Sequence, residues 1–288
     1  MKRKIRLLVC DLDNTLYDWV SYFVIAFYAM INKAVVVLHL DAETLLDDIK
    51  AIHQKHHDSE YPFALLETSI IQAKFPNLNR QELYVELAPI FEEFNKQRRE
   101  VLRVHNTVPE TLQKILDADI HLVAHTEANL FAIIERLDRL DLTKFFEKIY
   151  CRERIKTSHP NAAPKNERYK NFPFDKVVEL THHPRKPDTT VLLDICNSLN
   201  ISLNNVAYVG DSIARDMLMA RNAGVMSIFA AYGANHKKEL YDKLVRVTHW
   251  TPKEVEREIE LRKAAANIKP DYVLKESFDE ILIPLNIK

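Results

Sequence analysis

Ile5-Arg6-Leu7-Leu8-Val9-Cys10-Asp11-Leu12-Asp13-Asn14-Thr15-Leu16-Tyr17 is the stretch on which the reading of this chain turns. Residues 7–10 form a short apolar run, the pattern of a parallel strand covered on both faces. Asp11 and Asp13 then place two carboxylates at its C-terminal end. Carboxylates this close repel each other, and a folded protein accommodates them mainly where a cation neutralises them.

Downstream, apolar runs at 120–126, 148–151, 205–211, 225–230 and 271–274 read as further strands. Helical patterns at 107–117, 128–137, 189–199 and 278–285, and one ending at Gly224, alternate with them. This alternation predicts an α/β fold, a doubly wound parallel sheet with helices on both faces. Ligands of such sheets bind outside the carboxyl ends of the strands. Asp11, Asp13, Thr126 and Asp211 all fall at such ends, and Lys186 opens a helix that can approach the same rim.

Residues 18–103 have helical periodicity and no strand series, so they read as a helical subdomain inserted after the first strand. The core is then 1–17 and 104–288. Thr107 reads as the N-cap of the next helix. Residues 153–184 read as an extended polar loop, and 237–266 as a solvated helical excursion. His53, His56 and His57 read as a solvated helix face, and His182 and His183 as an exposed loop before Lys186. Glu127 is placed to meet a substrate, to orient Lys186, or to serve as a helix N-terminal acid. A chain with only three glycines should keep Gly210, Gly224 and Gly233 where backbone geometry or close approach demands them.

Hydrophobic content of 47% and charged content of 28% are those of an ordinary soluble globular protein. A net charge of -1 supplies no global field for nucleic acid or an anionic membrane, so neither partner is expected. Cys10, Cys151 and Cys196, odd in number and widely spaced, point to reduced thiols and a cytoplasmic protein. The basic residues 2–4 precede an apolar run that Asp11 interrupts, too short for a signal peptide. Residues 19–40 are more apolar, but Asn32, Lys33 and His39 interrupt them. A buried helix, or one at a subunit interface, is expected there rather than a span.

Together these residues supply the parts of a phosphoryl-transfer site. One carboxylate can attack phosphorus. A second can protonate the leaving oxygen and then activate water. A divalent cation held by acidic oxygens offsets the repulsion between nucleophile and phosphate. A lysine and a hydroxyl can stabilise charge on the transferring group.

The order and context of these residues resemble the haloacid dehalogenase (HAD) superfamily. Asp11-Leu-Asp13-Asn-Thr15 is similar to its first motif and Thr126 to its second. Lys186-Pro187-Asp188 is similar to the third, and Gly210-Asp211-Ser212-Ile-Ala-Arg-Asp216 to the fourth. The helical insertion is similar to the family's type 1 cap. The resemblance implies that Asp11 is the nucleophile and Asp13 the general acid/base, and that Thr126 and Lys186 bind the phosphoryl group. It also implies Mg2+ held by Asp11, the backbone carbonyl of Asp13 and Asp211, with Asp216 supporting directly or through water.

The family's dehalogenases and phosphonatases lack the second acid of the first motif, and its sugar mutases usually carry an apolar residue where Thr15 stands. The implied activity is therefore a Mg2+-dependent phosphatase acting through an aspartyl-phosphate on a small phosphorylated metabolite. Leu12-Asp13-Asn14-Thr15-Leu16-Tyr17 is similar to the opening of the family's pyrimidine 5'-nucleotidases, which makes a nucleoside 5'-monophosphate a candidate. The alternatives are a phosphosugar mutase and a non-catalytic binding or regulatory protein on the same fold. A monomer or homodimer is expected.

Overall fold

The computed structural model describes residues 4–61, 63–153, 172–181 and 184–288. Strand β1 is Leu7–Cys10, buried at all four positions. Helices α1 (Trp19–Leu38), α2 (Ala42–His56), α3 (Ser69–Lys74), α4 (Arg80–Glu86) and α5 (Ala88–Val101) follow. Then come α6 (Val108–Asp117), β2 (His121–Asn129), α7 (Leu130–Arg139), β3 (Lys148–Arg152), β4 (Val177–Leu180) and α8 (Thr190–Ser198). The chain continues through β5 (Val206–Gly210), a π-helical turn at Ile213–Met217, α9 (Leu218–Ala223), β6 (Met226–Ala230) and α10 (Ala231–Ala234). Helices α11 (Lys238–Val247) and α12 (Pro252–Ala264), strand β7 (Tyr272–Leu274) and α13 (Leu282–Leu285) complete it.

The described strands form one parallel sheet in the order β4-β3-β2-β1-β5-β6-β7, as the alternation predicts. β1 is flanked by β2 and β5, with Cys10 opposite both Ala124 and Val209. Side chains of a strand alternate between faces. Leu8 and Cys10 accordingly join the core beneath α6 and α7, and Leu7 and Val9 the core beneath α8 and α9. The register brings the residues after β1 and β5 to one rim.

Several expectations need correction. Thr107 holds the N-cap position of α6 as expected but makes no side-chain capping bond: its φ is 69°, and its hydroxyl donates to Asp279 Oδ1 at 3.1 Å. β2 runs to Asn129 with an irregular register after His125, so Glu127 lies in a strand and not in a helix's first turn. Asn129 caps α7 instead, accepting from the Ala132 N–H at 3.0 Å. The stretch read as a loop carries an edge strand, β4, and the rest of 154–171 lies outside the described residues, as do His182 and His183.

The excursion at 237–266 is not a solvated appendage. Helix α11 packs on α1 and α2. The Tyr28 hydroxyl donates to the Lys243 carbonyl at 3.0 Å, the Gln54 amide to the Trp250 carbonyl at 3.2 Å, and Arg246 pairs with Glu43 and Asp47. Of the three histidines expected on a solvated face, His57 is exposed but His53 and His56 are not. His53 is buried with Nδ1 2.7 Å from the Val247 carbonyl, and His56 stacks on Tyr61 at 3.6 Å. Helix α1 is long and apolar enough to cross a membrane, yet half of its most apolar window is buried inside the protein, chiefly against α5 and α11.

Burial holds His53 below its ordinary 6.5, and His249, whose Nδ1 is 2.8 Å from Ser59 Oγ, is pushed down to about 4. Both are neutral in the folded protein at pH 7, whereas in the unfolded chain they take up protons as pH falls through 6.5. A depressed folded pKa means that stability is intact above 6.5 and declines as pH falls towards about 4. Hydrogen exchange should therefore show the His249 amide, which donates to Ser59 Oγ at 3.0 Å, losing protection between pH 7 and pH 4.5. Unchanged protection after correction for intrinsic rates would contradict this.

Candidate active site

Asp11 and Asp211 face each other because β1 and β5 are paired neighbours that end together. Asp216 reaches the same point from the π-helical turn, which is possible only beside a glycine. A Cβ on Gly210 would lie 2.4 Å from the Asp216 carboxyl carbon. Gly233 obeys the same constraint on the other side, where a Cβ would lie 2.0 Å from the Asn14 carbonyl oxygen. Oxygens of Asp11, Asp211 and Asp216 lie within 4.8 Å of one another, an all-oxygen set suited to a hard divalent cation.

Lys186 enters this cluster from the loop before α8. Its Nζ donates to Asp11 Oδ1 at 2.6 Å and to Asp216 Oδ1 at 2.8 Å. The second oxygen of Asp11 accepts from the Thr15 hydroxyl at 3.0 Å, and that of Asp216 from the Ser212 N–H at 3.0 Å. Burial pushes Asp11 up to about 7, against the pull of Lys186 and with the help of Asp216. Burial also raises Asp211 well above the usual carboxylate range, and the charges of Asp11 and Asp216 add to it. Burial works against the charge on Lys186, but Asp11 and Asp216 hold its pKa well above the ordinary value.

Thr126 is buried and lines the same cavity of about 350 Å³. Its Oγ1 accepts from the Ala128 N–H at 3.1 Å, so its own proton can be donated into the cavity. Glu127 orients the lysine loop: its Oε1 accepts the Lys186 main-chain N–H at 2.7 Å.

Asp13 lines the cavity too, but its carboxylate is not part of the three-acid cluster. Its Oδ1 accepts from the Tyr17 hydroxyl at 2.6 Å and lies 3.3 Å from Arg136 Nη1. Among the described residues its Oδ2 takes no hydrogen bond, which leaves that oxygen available to a ligand.

Three partners escaped the sequence reading: Arg136, Glu60 and the wall formed by the 237–266 excursion. Arg136 is fully buried in α7 and also contacts Glu60 at 3.2 Å. Its trace in the sequence is an arginine one helical turn from Ala132, Ile133 and Leu140. The excursion contributes Tyr241, Thr248, His249, Trp250 and Arg262 to the cavity wall.

Among the described residues, Lys186 is the one cation in hydrogen-bond contact with the acidic cluster. Lys186→Met leaves buried carboxylates uncompensated and should destabilise the chelator-treated protein by about 3 kcal/mol in urea unfolding. A folded-state pKa raised to about 7 makes Asp11 costly at high pH and relieved at low pH, so the deficit should shrink at pH 5.5. A deficit that grows on acidification would contradict the arrangement.

The model for haloacid dehalogenase-like hydrolases matches residues 5–224. A phosphoglycolate phosphatase of Agrobacterium fabrum is 26% identical over 232 residues, covering 79% of this chain and 81% of that one. The 2-haloacid dehalogenase of Pseudomonas syringae pv. tomato matches over 98% of each chain, at TM-score 0.56 and 17% identity. A Bacillus subtilis HAD-hydrolase, YfnB, bound to magnesium, covers 99% of this chain and 100% of its own, at TM-score 0.52 and 15% identity. The two structures share the fold with this chain. The matched residues run from the start of the β1 stretch to the glycine that ends α9 and include Asp11, Asp13, Thr126, Lys186, Asp211 and Asp216, and the chain belongs to the haloacid dehalogenase-like hydrolase family.

Proposed function

We propose that this hydrolase is a phosphatase of small phosphorylated metabolites that works through an aspartyl-phosphate on Asp11. The observation that carries the reading is the pairing of a buried, lysine-bound Asp11 with a second acid, Asp13, which lines the same cavity and whose Oδ2 takes no hydrogen bond among the described residues. An oxygen of Asp11 attacks phosphorus, the bond from phosphorus to the ester oxygen breaks, and Asp13 gives that oxygen its proton. Asp13 then takes a proton from water, whose oxygen attacks phosphorus and releases Asp11. Lys186 and Thr126 face the phosphoryl oxygens.

Asp11, Asp211 and the main-chain carbonyl of Asp13 would hold Mg2+. Bound there, it would offset the repulsion between the phosphate and Asp11. Asp216 would support the ion directly or through water, while its Oδ1 also orients Lys186.

Residues 18–103 act as a cap on a core made of 1–17 and 104–288. The loop after α2 brings Asp58 and Glu60 to the cavity. The relative from Agrobacterium fabrum makes phosphoglycolate one substrate to test, and the Leu12–Tyr17 resemblance makes nucleoside 5'-monophosphates another. A cavity of about 350 Å³ suits a leaving group as large as the second. In this reading the protein works in the cytoplasm, as a monomer or homodimer, without nucleic acid or membrane. Three buried free thiols and a net charge of -1 support that setting.

Hydrolysis of 4-nitrophenyl phosphate should stop in EDTA and return with Mg2+. Asp11→Asn should form no phosphoenzyme, and Asp13→Asn should turn over about 10²–10⁴-fold more slowly. Full activity in EDTA, or wild-type turnover by Asp13→Asn, would contradict the assignment.

A further inference from the structure

We infer that Arg136 is the positioning residue of Asp13, and that Glu60 makes its hold depend on closure of the inserted helical segment. The inference rests on the acid–base role proposed for Asp13.

Arg136 belongs to the core, on α7, and is fully buried. Its Nη1 is 3.3 Å from Asp13 Oδ1 and 3.3 Å from each oxygen of Glu60, and its Nη2 is 3.2 Å from Glu60 Oε2. The guanidinium lies 5.7 Å from the Tyr17 ring centre and 5.9 Å from that of Tyr22. Asp13 and Tyr17 come from the stretch after β1, whereas Tyr22 and Glu60 come from the inserted segment. One cation is therefore shared between the acid and the segment that covers it.

A guanidinium stays charged, so a buried one needs anions around it. With Glu60 in place, Arg136 is neutralised from two sides and fixed, and Asp13 Oδ1 is pinned between it and the Tyr17 hydroxyl. The unpaired Oδ2 is thereby aimed at the cavity. If the segment lifts, Glu60 leaves with it. Arg136 then either follows that carboxylate or takes up water, and Asp13 keeps the Tyr17 contact alone.

The loop that carries Glu60 is fastened where it can report closure. The Glu60 N–H donates to Asp58 Oδ1 at 2.7 Å. Asp58 Oδ2 accepts from the side chain of Asn129, the residue that caps α7, at 2.9 Å. Ser59, between them, bonds His249 of the excursion. The loop thus touches α7 at its cap and, through Arg136, further along its length.

Leaving-group chemistry separates this role from a structural one. A 4-nitrophenolate departs with little help from an acid, whereas an alkoxide needs its proton. The test is single-turnover release of 4-nitrophenol from 4-nitrophenyl phosphate and of 2-phenylethanol from 2-phenylethyl phosphate. Wild-type protein is compared with Glu60→Gln and Arg136→Lys, each first checked for folding by circular dichroism. The alkyl-to-aryl rate ratio should fall at least tenfold in Glu60→Gln, which keeps the shape of the side chain and removes its charge. It should fall also in Arg136→Lys, whose single ammonium cannot bridge both carboxylates. A ratio within threefold of wild type in folded Glu60→Gln would overturn the inference, whatever the absolute loss in rate. Wild-type protein that releases neither leaving group would instead overturn the phosphatase reading, and this inference with it.

Discussion

Three carboxylates crowded around one ammonium are the constraint on which the rest of this structure depends. Asp11, Asp211 and Asp216 converge at the carboxyl ends of the two central strands, where Lys186 bonds Asp11 and Asp216. That convergence requires a parallel pairing of β1 with β5 and a glycine at 210. It leaves excess negative charge in a buried place, and burial raises the pKa of Asp11 and Asp211 accordingly. A divalent cation reverses that logic, since its charge favours the ionised form of every carboxylate it touches. Buried negative charge held on oxygens close together is what a hard divalent cation neutralises.

A second carboxylate problem is solved in a different way. Asp13 lies close to the cluster in sequence but takes different partners, Tyr17 and Arg136. The two acids of one short loop thus occupy two electrical environments. Asp11 is held by an ammonium and a hydroxyl, and Asp13 by a guanidinium and a phenol. Environments that differ in this way suit one group to attack and the other to transfer protons.

The central rim was legible because its signals are local. Four apolar residues followed by Asp11 specify a buried strand and its acidic exit, and the strand ending at Gly210 repeats the pattern. What escaped was set by partners distant in sequence. Val177–Leu180 is a half-buried edge strand inside a polar stretch, so it lacks the continuous apolar run that marked β1. Helix α11 buries only Leu244 and Val247, and its many charges face Glu43 and Asp47 as well as solvent, so its docking was invisible in its own composition. His53 looked solvated because the carbonyl that accepts its Nδ1–H lies 194 positions away, at Val247. Arg136 read as an ordinary helix residue because its carboxylate partners come from the loops after β1 and α2.

The central claim is that the acidic cluster holds a divalent cation, and calorimetric titration of Mg2+ into chelator-treated protein tests it most directly. Wild-type protein should bind one ion per chain, and Asp211→Asn should bind none at the same concentrations. An absence of binding heat in folded wild-type protein at millimolar Mg2+, or undiminished binding in Asp211→Asn, would contradict the account.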